Sequence, residues 1–169
     1  EIYRVAAGGG PLERLTAAGG MTSAVLSSDE KQLLLTSSWT TKPPELFVQP
    51  ARAGAPPKRL TKSTTPEFDA VAWVAPEIVE IPSTHFAGKV QSRVYELAGV
   101  RPAANAPAVI FIHGAGYLQN AHAGWSGYFR EFMFHTLLAR RGYEVLDMDA
   151  ASTGPASAPT AAATAASSP

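Results

Sequence analysis

Cysteine is absent from the chain, which excludes a disulfide framework, a thiolate metal site and a cysteine nucleophile. The compartment stays open, periplasmic or exported or cytoplasmic, because an exported protein can simply lack disulfides. Long hydrophobic runs are also missing: no segment approaches the roughly 20 apolar residues that span a bilayer. Nor is there a surplus of charge. The 14 basic and 14 acidic residues cancel, and no Lys/Arg run marks a nucleic-acid or anionic-membrane surface. The first residues, Glu1-Ile2-Tyr3-Arg4-Val5, carry no initiator Met, basic n-region or apolar h-region, so they are not a signal peptide. They read as the middle of a strand, and the chain is expected to begin inside a larger protein.

What is present suffices for a packed core: 169 residues, 46% of them apolar. From Glu1 to about Trp73, short alternating apolar runs lie between Gly/Pro/Ser/Thr clusters, as in short antiparallel strands. Leu33–Thr36 and Glu45–Val48 are the clearest. A repeat underlies them. Glu1–Val5 followed by Glu13-Arg14-Leu15-Thr16 is echoed by Glu45–Val48 followed by Lys58-Arg59-Leu60-Thr61, at offsets of 44 and 45 positions. That period is close to the ~40–45 residues of a four-stranded propeller blade, although a β-meander with chance Leu-Thr endings would look similar. Ala24–Leu33 reads as strand, polar turn, strand, which suits the inner hairpin of a blade.

From Glu77 onward the texture changes. Glu77–Ile81 and Gln91–Leu97 read as strands around a turn that includes Gly88, and Pro102–Pro107 as a linker. Ala108–Ile112 is an uninterrupted apolar run, expected of a strand buried on both faces. Tyr128–Arg141 reads as a helix whose Phe129, Phe132, Met133, Thr136, Leu137 and Arg140 share a face expected to lie on a sheet. Arg140 and Arg141 suit the last turn, and Gly142 is placed to stop it. Glu144–Met148 resumes as strand. Strand, helix and parallel strand form a βαβ unit, and the function-bearing loop of such a sheet follows the carboxyl end of a strand. After Asp149 only Ala, Ser, Thr, Pro and Gly occur. Residues 150–169 are therefore expected to be disordered, and an out-of-frame or artificial end explains their mid-domain position better than a linker does.

The sharpest local feature is Val109-Ile110-Phe111-Ile112-His113-Gly114-Ala115-Gly116-Tyr117. A strand running into His-Gly-x-Gly is the form of the first oxyanion loop of many α/β hydrolases. Glycines let the backbone turn beside the substrate so that amides face the oxygen that becomes negative. The bland alternative is a tight turn in which glycine only relieves crowding. His113, Gly114, Ala115, Gly116 and Tyr117 are the oxyanion-loop candidates, with His113 orienting the loop rather than acting as base. Gly114-Ala115-Gly116 is not a dinucleotide fingerprint, since Gln119 stands where the third Gly belongs. Gly124-Trp125-Ser126-Gly127-Tyr128 misses G-x-S-x-G at Tyr128, and Ser126 is expected as a helix N-cap. His85, His113, His122 and His135 lack metal spacing, so no metal and no cofactor is expected. Asp147 and Asp149 alternate at a strand end, where one can accept from loop amides.

Residues Val109–Asp149, with the repeat and strands before them, resemble the prolyl oligopeptidase family, in particular its bacterial dipeptidyl-peptidase and acylaminoacyl-peptidase-like branch. The likeness covers about residues 1–149 and is specific in its C-terminal third. The fold implied is the end of a β-propeller (residues 1–75) followed by the N-terminal, incomplete part of an α/β-hydrolase domain (76–149), then the tail. The activity implied for the full-length parent is serine-type cleavage of short peptides through an acyl-enzyme. The family's Ser, Asp and His triad would lie downstream, so this chain is expected to carry no catalytic residues and to be inactive. Some members use a Tyr of the first oxyanion loop as donor. Here His113 takes that position and Tyr117 follows, so the donor is left open. The rival readings are an esterase-type α/β hydrolase with a β-rich leader and a non-enzymatic propeller or interaction fragment.

Overall fold

The computed structural model describes residues 1–84, 88–96, 105–114 and 119–149. Strands β1 (Tyr3–Arg4) and β2 (Glu13–Arg14) form an antiparallel pair. Then β3 (Met21–Leu26), β4 (Gln32–Trp39), β5 (Lys42–Pro50) and β6 (Lys58–Arg59) build a four-stranded antiparallel sheet in chain order. A short helix α1 (Pro66–Asp69) leads to β7 (Glu77–Pro82), β8 (Lys89–Tyr95), β9 (Ala108–Ile112), helix α2 (Phe129–Arg140) and β10 (Glu144–Met148). These strands form a mixed sheet of order β7-β8-β10-β9, with β10 antiparallel to β8 and parallel to β9. The described chain is thus mostly β-sheet with few helices.

Period-two patterning specifies the first sheet. In β4, Leu33, Leu35 and Ser37 point inward while Leu34 and Thr36 point out. Pro43 and Pro44 lack the N–H that a ladder needs, and they fall where the β4–β5 register shifts between Ser37 and Trp39. The sequence repeat is also a repeat in space. Tyr3 pairs with Arg14 as Phe47 pairs with Arg59. The Thr16 hydroxyl accepts from the Ile2 amide at 2.9 Å, and Thr61 accepts from Leu46 at 2.9 Å. Arg14 lies 3.9 Å from Glu1, and Arg59 lies 2.6 Å from Glu45. The copies differ in cover. Leu15 is 6% exposed, packed with Leu33 and Leu35 under the four-stranded sheet, whereas Leu60 is 51% exposed. Burying an aliphatic side chain of this size contributes about 1.5–3 kcal/mol.

In the mixed sheet, α2 covers one face. Its end is a Schellman motif: the Gly142 amide donates to Ala139 and the Tyr143 amide to Leu138, with Gly142 at φ +86°. Two expectations are corrected here. The buried face of α2 is Phe132, His135, Thr136 and Ala139, turned away from the expected apolar line, so that Phe129 and Leu137 are exposed. The sheet beneath is itself partly polar, and His135 fits between the rings of Tyr95 and Phe111, at 5.0 and 5.2 Å. Second, β9 is not buried on both faces. It is an edge strand among those described, with Ile110 61% and Ile112 66% exposed, while Val109 and Phe111 are half-buried. The α2-side core comprises Val74, Tyr95, Phe132, Ala139 and Val145, with Trp73, Trp125 and Val109 against it. The expected tail, residues 150–169, lies outside the described residues, as do residues 97–104, which include the first half of the expected linker.

Glu45 supplies a test of the first sheet. Burial opposes its charge, but Thr61, the Ser63 amide and Arg59 donate to it and pull its pKa down to about 2. A depressed carboxylate stabilises the fold above its ordinary pKa of 4.5, and that contribution is lost as pH falls through about 2. Glu45→Gln should therefore lose less stability than the parent over that range. Glu45→Ala should cost about 1–3 kcal/mol in urea unfolding at pH 7, by leaving these donors unpaired. Gly142→Ala should cost about 1 kcal/mol, because its φ is left-handed.

Candidate functional site

Strands β9 and β10 run parallel and end together, Met148 beside Ile112. The next residue of each chain segment carries a polar side chain, His113 and Asp149, and both are buried. His113 Nε2 lies 2.9 Å from Asp149 Oδ1, and its Nδ1 lies 3.1 Å from the Gly114 carbonyl. Both ring nitrogens therefore face acceptors. The ring stacks on Tyr128 at 5.0 Å. Asp149 also accepts from the amides of Asn120 (2.7 Å) and Ala121 (3.1 Å to Oδ2), so one carboxylate gathers three donors from two segments.

Asn120 extends this network. Its Nδ2 donates to Asp147 Oδ2 at 2.6 Å, and its Oδ1 accepts from Ser126 Oγ at 2.6 Å. Ser126 Oγ in turn accepts from the Tyr128 amide at 3.0 Å. Ser126 is not the helix N-cap: Tyr128 occupies that place, without a side-chain capping bond. Ser126 lies two residues earlier, buried, with its hydroxyl turned inward to Asn120. On β8, Arg93 stands opposite Asp147 in register. Its Nη2 donates to the carbonyls of His122 (2.5 Å) and Gly124 (3.2 Å).

Of the predicted loop residues, the structure places His113 and Gly114 at the end of β9. Ala115, Gly116 and Tyr117 lie outside the described residues, as does His85. Gly114 has no positive φ, and a Cβ there would meet nothing within 4 Å among the described residues. Arg93 and Asn120 went unnoticed in the sequence. Arg93 left a readable signal, a charge in the inward phase of a strand with Tyr95; Asn120 left none. Among the described residues there is no group of three or more potential metal ligands, and no helix is long and apolar enough to cross a membrane.

No family model matches the chain, and a search of curated proteins finds no match. Among solved structures it is similar to the crystal structure of Porphyromonas gingivalis dipeptidyl peptidase 4, with a TM-score of 0.63 at 17% identity. The match covers 87% of this chain and 20% of that one. The likeness is one of fold. The chain spans about a fifth of the neighbour's length, and 17% identity carries the arrangement of strands and helices rather than the chemistry.

Two buried ionisable groups beneath α2 titrate in opposite senses. Burial raises the Asp147 carboxyl to about 6, against the pull of Arg93 and Asn120. Burial lowers His135 to about 4, with Glu131 opposing and Arg93 reinforcing. Their side chains are 4.0 Å apart. A raised carboxyl pKa gives stability that is lost as pH rises through about 6. A depressed histidine pKa gives stability that is lost as pH falls through about 4. Across pH 4–6 the two slopes oppose each other. Relative to the parent, Asp147→Asn should lose stability as pH falls through this window. His135→Gln should gain it, each difference approaching about 1.4 kcal/mol per pH unit. Urea midpoints at several pH values read this directly, and three parallel profiles would contradict the assignment.

Proposed function

We propose that the chain is the junction of a prolyl oligopeptidase-type serine peptidase, of the dipeptidyl-peptidase or acylaminoacyl-peptidase-like branch. Residues 1–75 are the end of its β-propeller and residues 76–149 the start of its α/β-hydrolase domain. The observation that carries the reading is the end of β9, where an apolar strand runs into His113-Gly114 and the end of the parallel β10 fixes His113 through Asp149. His113, Gly114, Ala115, Gly116 and Tyr117 form the first oxyanion loop, next to the space where a substrate carbonyl would sit. With both nitrogens facing acceptors, His113 orients the loop and is not the general base.

Support for the propeller comes from the repeated strand pair, whose period is near that of a blade. In this reading β3–β6 are one blade and β1–β2 the outer strands of the blade before it. Support for the hydrolase half comes from the β9–α2–β10 unit and from the likeness to a protein titled dipeptidyl peptidase 4. The full-length protein cleaves short peptides through an acyl-enzyme, with the propeller restricting access. The nucleophile, Asp and His are supplied by sequence outside this chain.

Two measurements test this. The chain as given should take up no fluorophosphonate, because Ser126 is buried with its hydroxyl engaged by Asn120 and Tyr128; a covalent adduct on Ser126 overturns the reading. The full-length protein should react with the probe and prefer short peptide amides to acyl esters, the reverse preference favouring an esterase. In that protein His113→Ala should lower kcat by about 10²-fold or more with little change in KM, the pattern for a group that matters in the transition state.

A further inference from the structure

Arg93 is a buried cation with 0% exposure, and it forms no ion pair with a described carboxylate. Among the described residues neither Nε nor Nη1 has a hydrogen-bond partner, although both are buried. Removing such a charge from water is costly, and an apolar side chain of similar volume often serves stability as well or better. What Arg93 does make is specific: Nη2 holds two carbonyls of one loop, those of His122 and Gly124. His122 Nδ1 accepts from the Gly124 amide at 3.1 Å and tightens the same turn.

That loop is where three parts of the chain meet. At one end the Asn120 and Ala121 amides sit on Asp149. At the other, the Trp125 amide donates to Ser38 Oγ of β4 at 3.2 Å. A Cβ on Gly124 would stand 2.6 Å from the Met21 Cβ of β3, so only glycine permits that approach. Trp125 also packs on Phe68 of α1 and Phe132 of α2, at 5.9 and 5.1 Å.

We propose that Arg93 is a positioning residue: from within the mixed sheet it sets the course of residues 120–125, and so ties the four-stranded sheet to the strand ends carrying His113 and Asp149. Its bearing on catalysis rests on the peptidase reading, whereas its hold on the loop does not.

Hydrogen exchange by NMR on the chain as given tests this, with Arg93→Met and Arg93→Lys. In Arg93→Met the amides of Ala121, Gly124 and Trp125 should exchange at least tenfold faster, while those of Val94 and Val145 in the sheet keep their parent rates. The His122 ring should also titrate higher than in the parent, since burial first and the Arg93 charge second hold it down, and the variant removes the second. Arg93→Lys, which keeps a cation but not the fork, should give intermediate loop exchange. Loop amides that stay at parent rates, or that accelerate only in step with Val94 and Val145, overturn the proposal. If Arg93→Met does not fold, Arg93→Lys decides by the same two criteria. A loosened loop in a chain whose full-length form hydrolyses no peptide would sink the peptidase reading and leave this role of Arg93 standing.

Discussion

The Asp149 carboxylate, fixed at the end of β10, receives a ring nitrogen from the end of β9 and two backbone amides from the segment that leads to α2. Hydrogen bonds to a charged acceptor are roughly twice as strong as neutral ones, and these lie where little water competes. The crossover from β9 to β10 would otherwise leave the buried amide of Asn120 and the half-buried amide of Ala121 without these bonds. Their satisfaction at Asp149 fixes where the loop runs. That course determines where Asn120 turns inward, where Ser126 meets it, and so where α2 can begin.

The interior beneath α2 is more polar than a small β-rich chain requires. Arg93, Asp147, His135, Asn120 and Ser126 are all buried there. Buried polar groups are tolerable when they are hydrogen-bonded and costly when they are not. Here the network is dense on the loop side, around Asn120, and sparse on the helix side, where His135 Nδ1 and Asp147 Oδ1 have no hydrogen-bond partner among the described residues. The polar side chains therefore specify the path of the loop more than they hold the helix down. The helix is held by Phe132, Ala139 and the aromatic rings of Tyr95, Trp73 and Trp125.

Much of the fold was legible where the signal is local. Alternation in Leu33–Ser37, the strand pairs of the repeat, the extent of α2 and the stop at Gly142 follow from periods and backbone preferences that a short window contains. Two features were not legible. The face of α2 depends on what lies under it, and apolar counting favours Phe129 and Leu137 over His135 because it cannot see Tyr95 and Phe111 on the sheet. The open side of β9 depends on which strands flank it, which Ala108–Ile112 does not encode. At the candidate site, His113 announced itself by motif and Asp149 by alternation. Arg93 was marked only by a charge in the inward phase of β8, and its bonds go to backbone carbonyls that residue identity does not encode; nothing in the sequence marked Asn120.

The unequal cover of Leu15 and Leu60 bears on how such a chain is made. Leu15 is closed over by a sheet whose contact to it includes Gln49 Nε2 on the Leu15 carbonyl, 34 residues later. A ribosome adds roughly 5–20 residues per second, so a newly emerged Leu15 waits about 2–7 s for its cover. During that interval the Leu15 side chain lacks the apolar cover that Leu33 and Leu35 supply. The first repeat is thus left open to chaperones or to wrong partners for the time it takes to synthesise the strands that cover Leu15.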